Sequence, residues 1–524
     1  MSAVGGSAGG ELAAGGVVLG TTGASADEVV AVARCGARVD LDATAIEAMA
    51  RSRAFVDALA ASEVPVYGLT TGFGALATRY IDPALRAQLQ RSLVRSHAAG
   101  MGDAVDDEIV RGLMFLRLRT LATGRTGVRP LVAHSLAALL NARITPIVPE
   151  HGSLGCSGDL APLSHCALAL IGEGEVAGPD GTRRPAGDAL RDAGITPVEL
   201  SAKEGLALVN GTDGMLAMLV LACEDLARLC TIADVTTALS VEALLGTDRA
   251  FLPGLQHDLR PHPGQAASAE NLLALLAGSE IVASHREGDV RVQDAYSLRC
   301  APQVAGAVRD TLEHARLVAG RELRSAIDNP VVLPDGTIAS NGNFHGAPVA
   351  YVLDFLAICA ADLGSIAERR TDRMLDPARS HGLPPFLAAD PGVDSGLMIA
   401  QYTQAAMVSE NKRLAQPASV DSIPTSAMQE DHVSMGWGAG MKLRRSLVNL
   451  RRILAVELVV AARGVEMRAP LRPSSATAAA IAELRSEVPG AGTDRWLAPE
   501  LARATDVLAS GRLLDAVSSV VTLR

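Results

Sequence analysis

Aromatic residues are scarce in this 524-residue chain, 3% of the total against 48% hydrophobic residues overall. The interior must therefore be built from Ala, Leu, Val and Ile, which suits close helix packing and disfavours a β-sandwich. Paired cysteines are lacking too. The seven present, Cys35, Cys156, Cys166, Cys223, Cys230, Cys300 and Cys359, are odd in number and show neither C-x-x-C nor zinc-type spacing, so reduced thiols in a cytoplasm are expected instead of a disulfide framework. The 11 histidines form no H-E-x-x-H pattern, and no metal is implied. Arginines are scattered among acidic residues, and a net charge of −11 leaves no electrostatic footprint for nucleic acid.

The length exceeds what one core supports, so two or more substructures are expected. Residues 1–26 are rich in Gly, Ala, Ser and Val without a basic segment and read as a flexible leader, not a signal peptide. The apolar stretch Leu206 to Cys223 carries Asn210 and Asp213, polar groups costly in lipid, so a buried helix is expected and not a membrane span. Apolar residues at helical spacing predict helices over Pro83 to His97, Asp106 to Ala122 and Arg129 to Arg143. Longer ones are predicted over Met215 to Leu245, Val304 to Ile327, Ala347 to Arg373, Ser395 to Ala415 and Glu430 to Ala469. The stretch Gly172 to Pro197, broken by Gly and Pro, reads as a surface excursion. The expected organisation is a leader (1–26), an N-terminal domain (27–213) and a long-helix bundle with C-terminal helices (214–524).

The most informative segment runs from Gly152 to Leu163. Within it Cys156-Ser157-Gly158 has the elements for backbone self-cyclisation: a glycine amide that can approach the carbonyl two residues before it, and a serine between them able to lose water. Alone, the triplet would be a tight turn with a small buried cysteine. In context, GSLGCSGDLAPLSH resembles the signature of the aromatic amino acid ammonia-lyase and aminomutase family, and the resemblance spans nearly the whole chain after the leader.

That resemblance implies that Cys156, Ser157 and Gly158 condense into a 4-methylidene-imidazol-5-one ring, an internal cofactor that captures the substrate amine. YGLTTGFG matches the loop bearing the family's catalytic base, here Tyr67. LVRSHAAGMG supplies His97, ALVNGT Asn210, RVQDAYSLRCAPQV Gln293, Tyr296 and Arg299, SNGNFHG Phe344, LMIAQ Met398, and SIPTSAMQEDHVSM Gln429 and Glu430. By the resemblance Arg299 grips the substrate carboxylate with two-pronged donors, and Asn210 and Gln293 add hydrogen bonds. Tyr296, in the catalytic set, supports the ring and substrate, as do Phe344 and Gln429.

The sequence Gln429-Glu430-Asp431-His432, with His97 and Met398, resembles the histidine branch, where a carboxylate at 430 serves an imidazole better than an apolar ring. The implied activity is elimination of ammonia from an aromatic L-amino acid, L-histidine to urocanate. Thr70, Cys156, Ala347, Gln416 and Met428 depart from that branch's pattern. They keep open a 2,3-aminomutase, in which ammonia held behind a closed Tyr67 loop adds back at the β-carbon, and an inactive binding or assembly relative. The implied fold is an all-α, elongated helical bundle of the histidine/phenylalanine ammonia-lyase type, whose smaller N-terminal part carries the ring motif. The implied assembly is a cytoplasmic homotetramer with each site built from three subunits, and with neither membrane nor nucleic acid as partner.

Overall fold

The computed structural model describes residues 15–61, 66, 68–72, 76 and 78–524. It divides into two compact units, one comprising Met1–Leu221, Ala315–Asp354 and Pro417–Met441, the other Ala222–His314, Phe355–Gln416 and Lys442–Arg524. Both are helical. The long helices Asp213–Ala243, Ala347–Leu375 and Gly436–Glu466 each contribute residues to both units.

In the first unit, local chemistry sets the helix starts. Ser25 and Glu28 form a reciprocal cap on the helix Ala26–Arg34, and the Asp42 carboxylate accepts from the Ala45 N–H at 2.8 Å to begin Ala43–Ala60. Pro130 opens Pro130–Asn141, where a missing N–H costs nothing. At the centre lies Asp107–Ala122, buried at every position from Ile109 onward, including Arg111, Arg117 and Arg119. These arginines are tolerated because they donate to backbone carbonyls: Arg111 to those of Val32 and Leu140, Arg119 to that of Ser325, and Arg117 to those of Ala207, Asn210 and Ile327, each at 3.0 Å, with the Asp213 carboxylate also 3.0 Å from Arg117. Arg117 thereby ties down the break between the helices Glu204–Val209 and Asp213–Ala243.

The apolar run Glu204–Ala243 is long and apolar enough to cross a membrane, and its apolar window is 100% buried within the protein; Ala347–Leu375 passes the same test of length and composition. Short strands that the helical pattern did not reveal complete this unit. Val17–Leu19 pairs in parallel with Val39–Leu41, and Val17 and Leu19 are buried. The expected leader therefore does not extend over these residues, because two alternating apolar side chains suffice to seat a strand; residues 1–14 lie outside the described residues. The expected surface excursion holds two strands, Glu175–Ala177 and Arg183–Pro185, in a three-stranded sheet with Thr145–Pro146, followed by the helix Ala186–Asp192.

The second unit has an apolar core that encloses two networks of buried polar groups. Glu457 accepts from Thr236 Oγ1 at 2.8 Å and Ser240 Oγ at 2.9 Å and is paired with Arg370, all of them buried. Asp234 accepts from Asn271 at 2.8 Å and Arg309 at 2.7 Å, and Asn271 and Arg309 also donate to the carbonyl of the last residue, Arg524.

Candidate active site

The Cys156-Ser157-Gly158 turn precedes the helix Leu160–Leu170 and is held from both sides. Gly155 and Gly158 have φ of +68° and +79°, a region that favours glycine, and a Cβ at Gly158 would lie 2.1 Å from the Gly211 carbonyl oxygen. The Asp159 N–H donates to that same oxygen at 2.7 Å. The Asp159 carboxylate accepts from Ser153 Oγ at 2.9 Å and from the Gly214 and Met215 N–H groups at 2.8 and 3.0 Å, at the N-terminus of Asp213–Ala243. Burial pushes this carboxyl up to about 7 against those bonds. On the other side Ser434 Oγ and the Gly346 N–H both donate to the Gly155 carbonyl, at 2.7 and 3.1 Å.

Facing the turn is Glu430. Its carboxylate accepts from Ser157 Oγ at 2.8 Å, Thr425 Oγ1 at 2.7 Å and Cys156 Sγ at 3.3 Å. Burial works against its ionisation, but the bonds from Thr425, Ser157 and Cys156 and the nearness of His97 outweigh it and hold the group below its ordinary range. Burial, then the charge of Glu430, push the Cys156 thiol up to about 12, so it stays protonated at neutral pH.

His97 ends the helix Arg86–His97. Ser96 Oγ lies 3.1 Å from the Leu93 carbonyl and 3.0 Å from His97 Nδ1. Burial lowers the imidazole pKa, opposed by the Leu93 carbonyl and Glu430. His97, Ser157, Asn210 and Glu430 line one cavity of about 990 Å³ with apolar walls that include Leu93 and Leu206. Asn210 Nδ2 donates to the Asn329 carbonyl at 2.8 Å, while its buried Oδ1 has no partner among the described residues.

The fold thus brings together Cys156, Ser157, Gly158, Glu430, His97 and Asn210. Phe344 is half-buried just before Gly346, and Gln429 is exposed in the turn leading to Glu430. Gln293, Tyr296, Arg299 and Met398 belong to the second unit. There Arg299 donates to the Asp294 carbonyl at 3.0 Å, with its guanidinium 4.6 Å from the centre of the exposed Tyr296 ring. Tyr67 lies outside the described residues. Thr425, Ser434, Asp159 and Asn329 also shape the site, with no role evident from sequence. The first three sit inside the quoted motifs, where a hydroxyl or carboxylate amid small residues was the available signal; nothing at Asn329 marked it.

The family model for aromatic amino acid lyases matches residues 24–486. The chain belongs to that family. It is 67% identical over 505 residues to the histidine ammonia-lyase of Streptomyces avermitilis, covering 96% of this chain and 98% of that one, and 52% identical to that of Sorangium cellulosum, covering 94% and 96%. Among solved structures it resembles a tyrosine aminomutase from Streptomyces globisporus, with a TM-score of 0.92, 39% identity and coverage of 97% and 99%. It likewise resembles the histidine ammonia-lyase of Trypanosoma cruzi, with a TM-score of 0.88, 39% identity and coverage of 97% and 96%. The expected all-α fold of this lyase type is borne out, and membership at this identity makes the protein a carbon–nitrogen lyase acting on an amino acid.

Proposed function

We propose that the protein is a histidine ammonia-lyase, releasing ammonia from L-histidine to leave urocanate. The observation that carries this reading is the meeting of a charged Glu430 with the His97 imidazole in the cavity onto which Ser157 opens. A substrate imidazole donates its ring N–H to Glu430, whereas a phenyl ring brings no donor to that buried charge. The high identity to histidine-specific relatives supports the same choice.

Cys156-Ser157-Gly158 fits a methylidene-imidazolone ring. Gly158 occupies a cradle that a Cβ would fill, and the Ser157 hydroxyl, which must leave as water, donates to a carboxylate. Once formed, such a ring supplies an electrophile for the substrate amine. In the overall elimination the C–N bond breaks with its electron pair on nitrogen, a β-proton passes to a base, and the C–H pair becomes the new double bond. Tyr67 takes that proton by family resemblance. Glu430 and His97 hold the imidazole, Asn210 hydrogen-bonds the substrate by the same resemblance, and the Leu93 and Leu206 side chains line the cavity. Arg299 binds the carboxylate, Gln293 adds a hydrogen bond, and Tyr296, Phe344, Met398 and Gln429 support the ring and substrate.

The protein acts as a cytoplasmic homotetramer with sites shared between subunits. Tyr296 is 72% exposed, and nearby Val290 and Val292 are 95% and 99% exposed, an apolar surface of the kind that interfaces cover. Incubation with L-histidine and quantification of urocanate and free ammonia tests the activity. β-Histidine in place of both overturns it in favour of an aminomutase. Mixed Ser157→Ala and Arg299→Met subunits regain activity if sites are shared, and remain inactive if they are not.

A further inference from the structure

We infer that Thr425 is a positioning residue for this reaction, aiming the Glu430 carboxylate at the substrate and keeping a strained turn closed beneath it. Thr425 and Glu430 form an isolated antiparallel bridge: the Thr425 N–H donates to the Glu430 carbonyl at 3.0 Å and the Glu430 N–H to the Thr425 carbonyl at 3.3 Å. The Thr425 hydroxyl adds a third bond, 2.7 Å to Glu430 Oε2, on the carboxylate whose other oxygen meets Ser157. Between the two residues Ser426, Ala427 and Met428 have φ of 50°, 52° and 68°. Three successive non-glycine residues adopt that conformation only where their surroundings over-determine it. Ser426 and Ala427 line the same cavity as Glu430, so any opening of the turn moves the cavity wall together with the carboxylate.

The titratable groups acting on Glu430 among the described residues are His97 and Cys156, and Thr425 supplies the strongest hydrogen bond favouring its charged form. Losing that donor makes Glu430 easier to protonate. The inference rests on the histidine ammonia-lyase reading, and its test compares Thr425→Val, Thr425→Ser and the wild type. The valine variant retains the two-water mass deficit relative to its own sequence. It loses roughly tenfold or more in kcat/KM for L-histidine, as expected when a hydrogen bond to a charged group is removed, and its acid limb moves to higher pH; the serine variant restores both. A valine variant with wild-type kcat/KM and pH profile overturns the inference. If valine does not give folded protein, alanine replaces it in the comparison, and equal alanine and serine profiles overturn it. A wild type that makes no urocanate sinks the underlying reading instead, so the two failures are distinguishable.

Discussion

Replacing Glu430 with glutamine keeps the size of the side chain and one acceptor oxygen but removes the charge. In the structure that charge is held by donors from Thr425 at 2.7 Å and Cys156 at 3.3 Å, which stay in place once the Ser157 hydroxyl has left, and it lies half-buried facing the cavity. A hydrogen bond to a charged group contributes about 1.5–3 kcal/mol. At about 1.4 kcal/mol per decade, losing the charge-assisted bond to the substrate imidazole lowers kcat/KM for histidine roughly 10- to 100-fold. Phenylalanine has no ring N–H, so any trace turnover of it does not fall in parallel and the ratio of histidine to phenylalanine kcat/KM narrows. The assay is steady-state formation of urocanate and cinnamate by Glu430→Gln and wild type, each first weighed intact to confirm the same dehydrated mass. A variant within twofold of wild type on histidine, or one that loses both substrates equally, refutes a role for Glu430 in recognising the imidazole.

Other perturbations follow from the same geometry. Gly158→Ala forces a Cβ to within 2.1 Å of the Gly211 carbonyl at a φ of +79°, so the variant shows no dehydrated mass and no activity; a wild-type mass contradicts the cradle. Arg117→Met leaves Asp213 charged and unpaired in the core and costs about 3–5 kcal/mol, to be read as a lowered denaturation midpoint, with an unchanged midpoint as the contrary result. Because burial holds His97 below the ordinary 6.5, an NMR titration of its imidazole in the resting enzyme has its midpoint under that value; a midpoint above 6.5 contradicts the burial. With its thiol pushed up to about 12, Cys156 resists alkylation at neutral pH, while exposed Cys35 reacts first; rapid labelling of Cys156 by mass mapping argues against it.

The helices were legible because their signal is local. The expected Asp106 to Ala122 and Ala347 to Arg373 appear as Asp107–Ala122 and Ala347–Leu375, since apolar spacing marks a helix without reference to the rest of the chain. The expected helix from Glu430 begins instead at Gly436, because Glu430 is drawn into a bridge with Thr425, a pairing that depends on tertiary context. The same reason hid Val17–Leu19 and its partner Val39–Leu41: strands this short carry too little alternation to be read alone. At the candidate site the motif letters marked Ser157, His97, Asn210 and Glu430, which share one cavity. They could not reveal that Asp159 caps the helix Asp213–Ala243 or that Ser434 holds the Gly155 carbonyl. Those contacts join residues far apart in sequence, and a serine or aspartate looks the same in sequence whether it faces solvent or fixes a turn.

The most direct test of the account weighs the purified wild-type protein and Ser157→Ala intact and assays both with L-histidine. The wild type is expected to be lighter than its sequence by two waters and active, and the variant to lack the mass deficit and turn over no histidine. A wild type of full sequence mass that still releases ammonia, or an active Ser157→Ala, contradicts it.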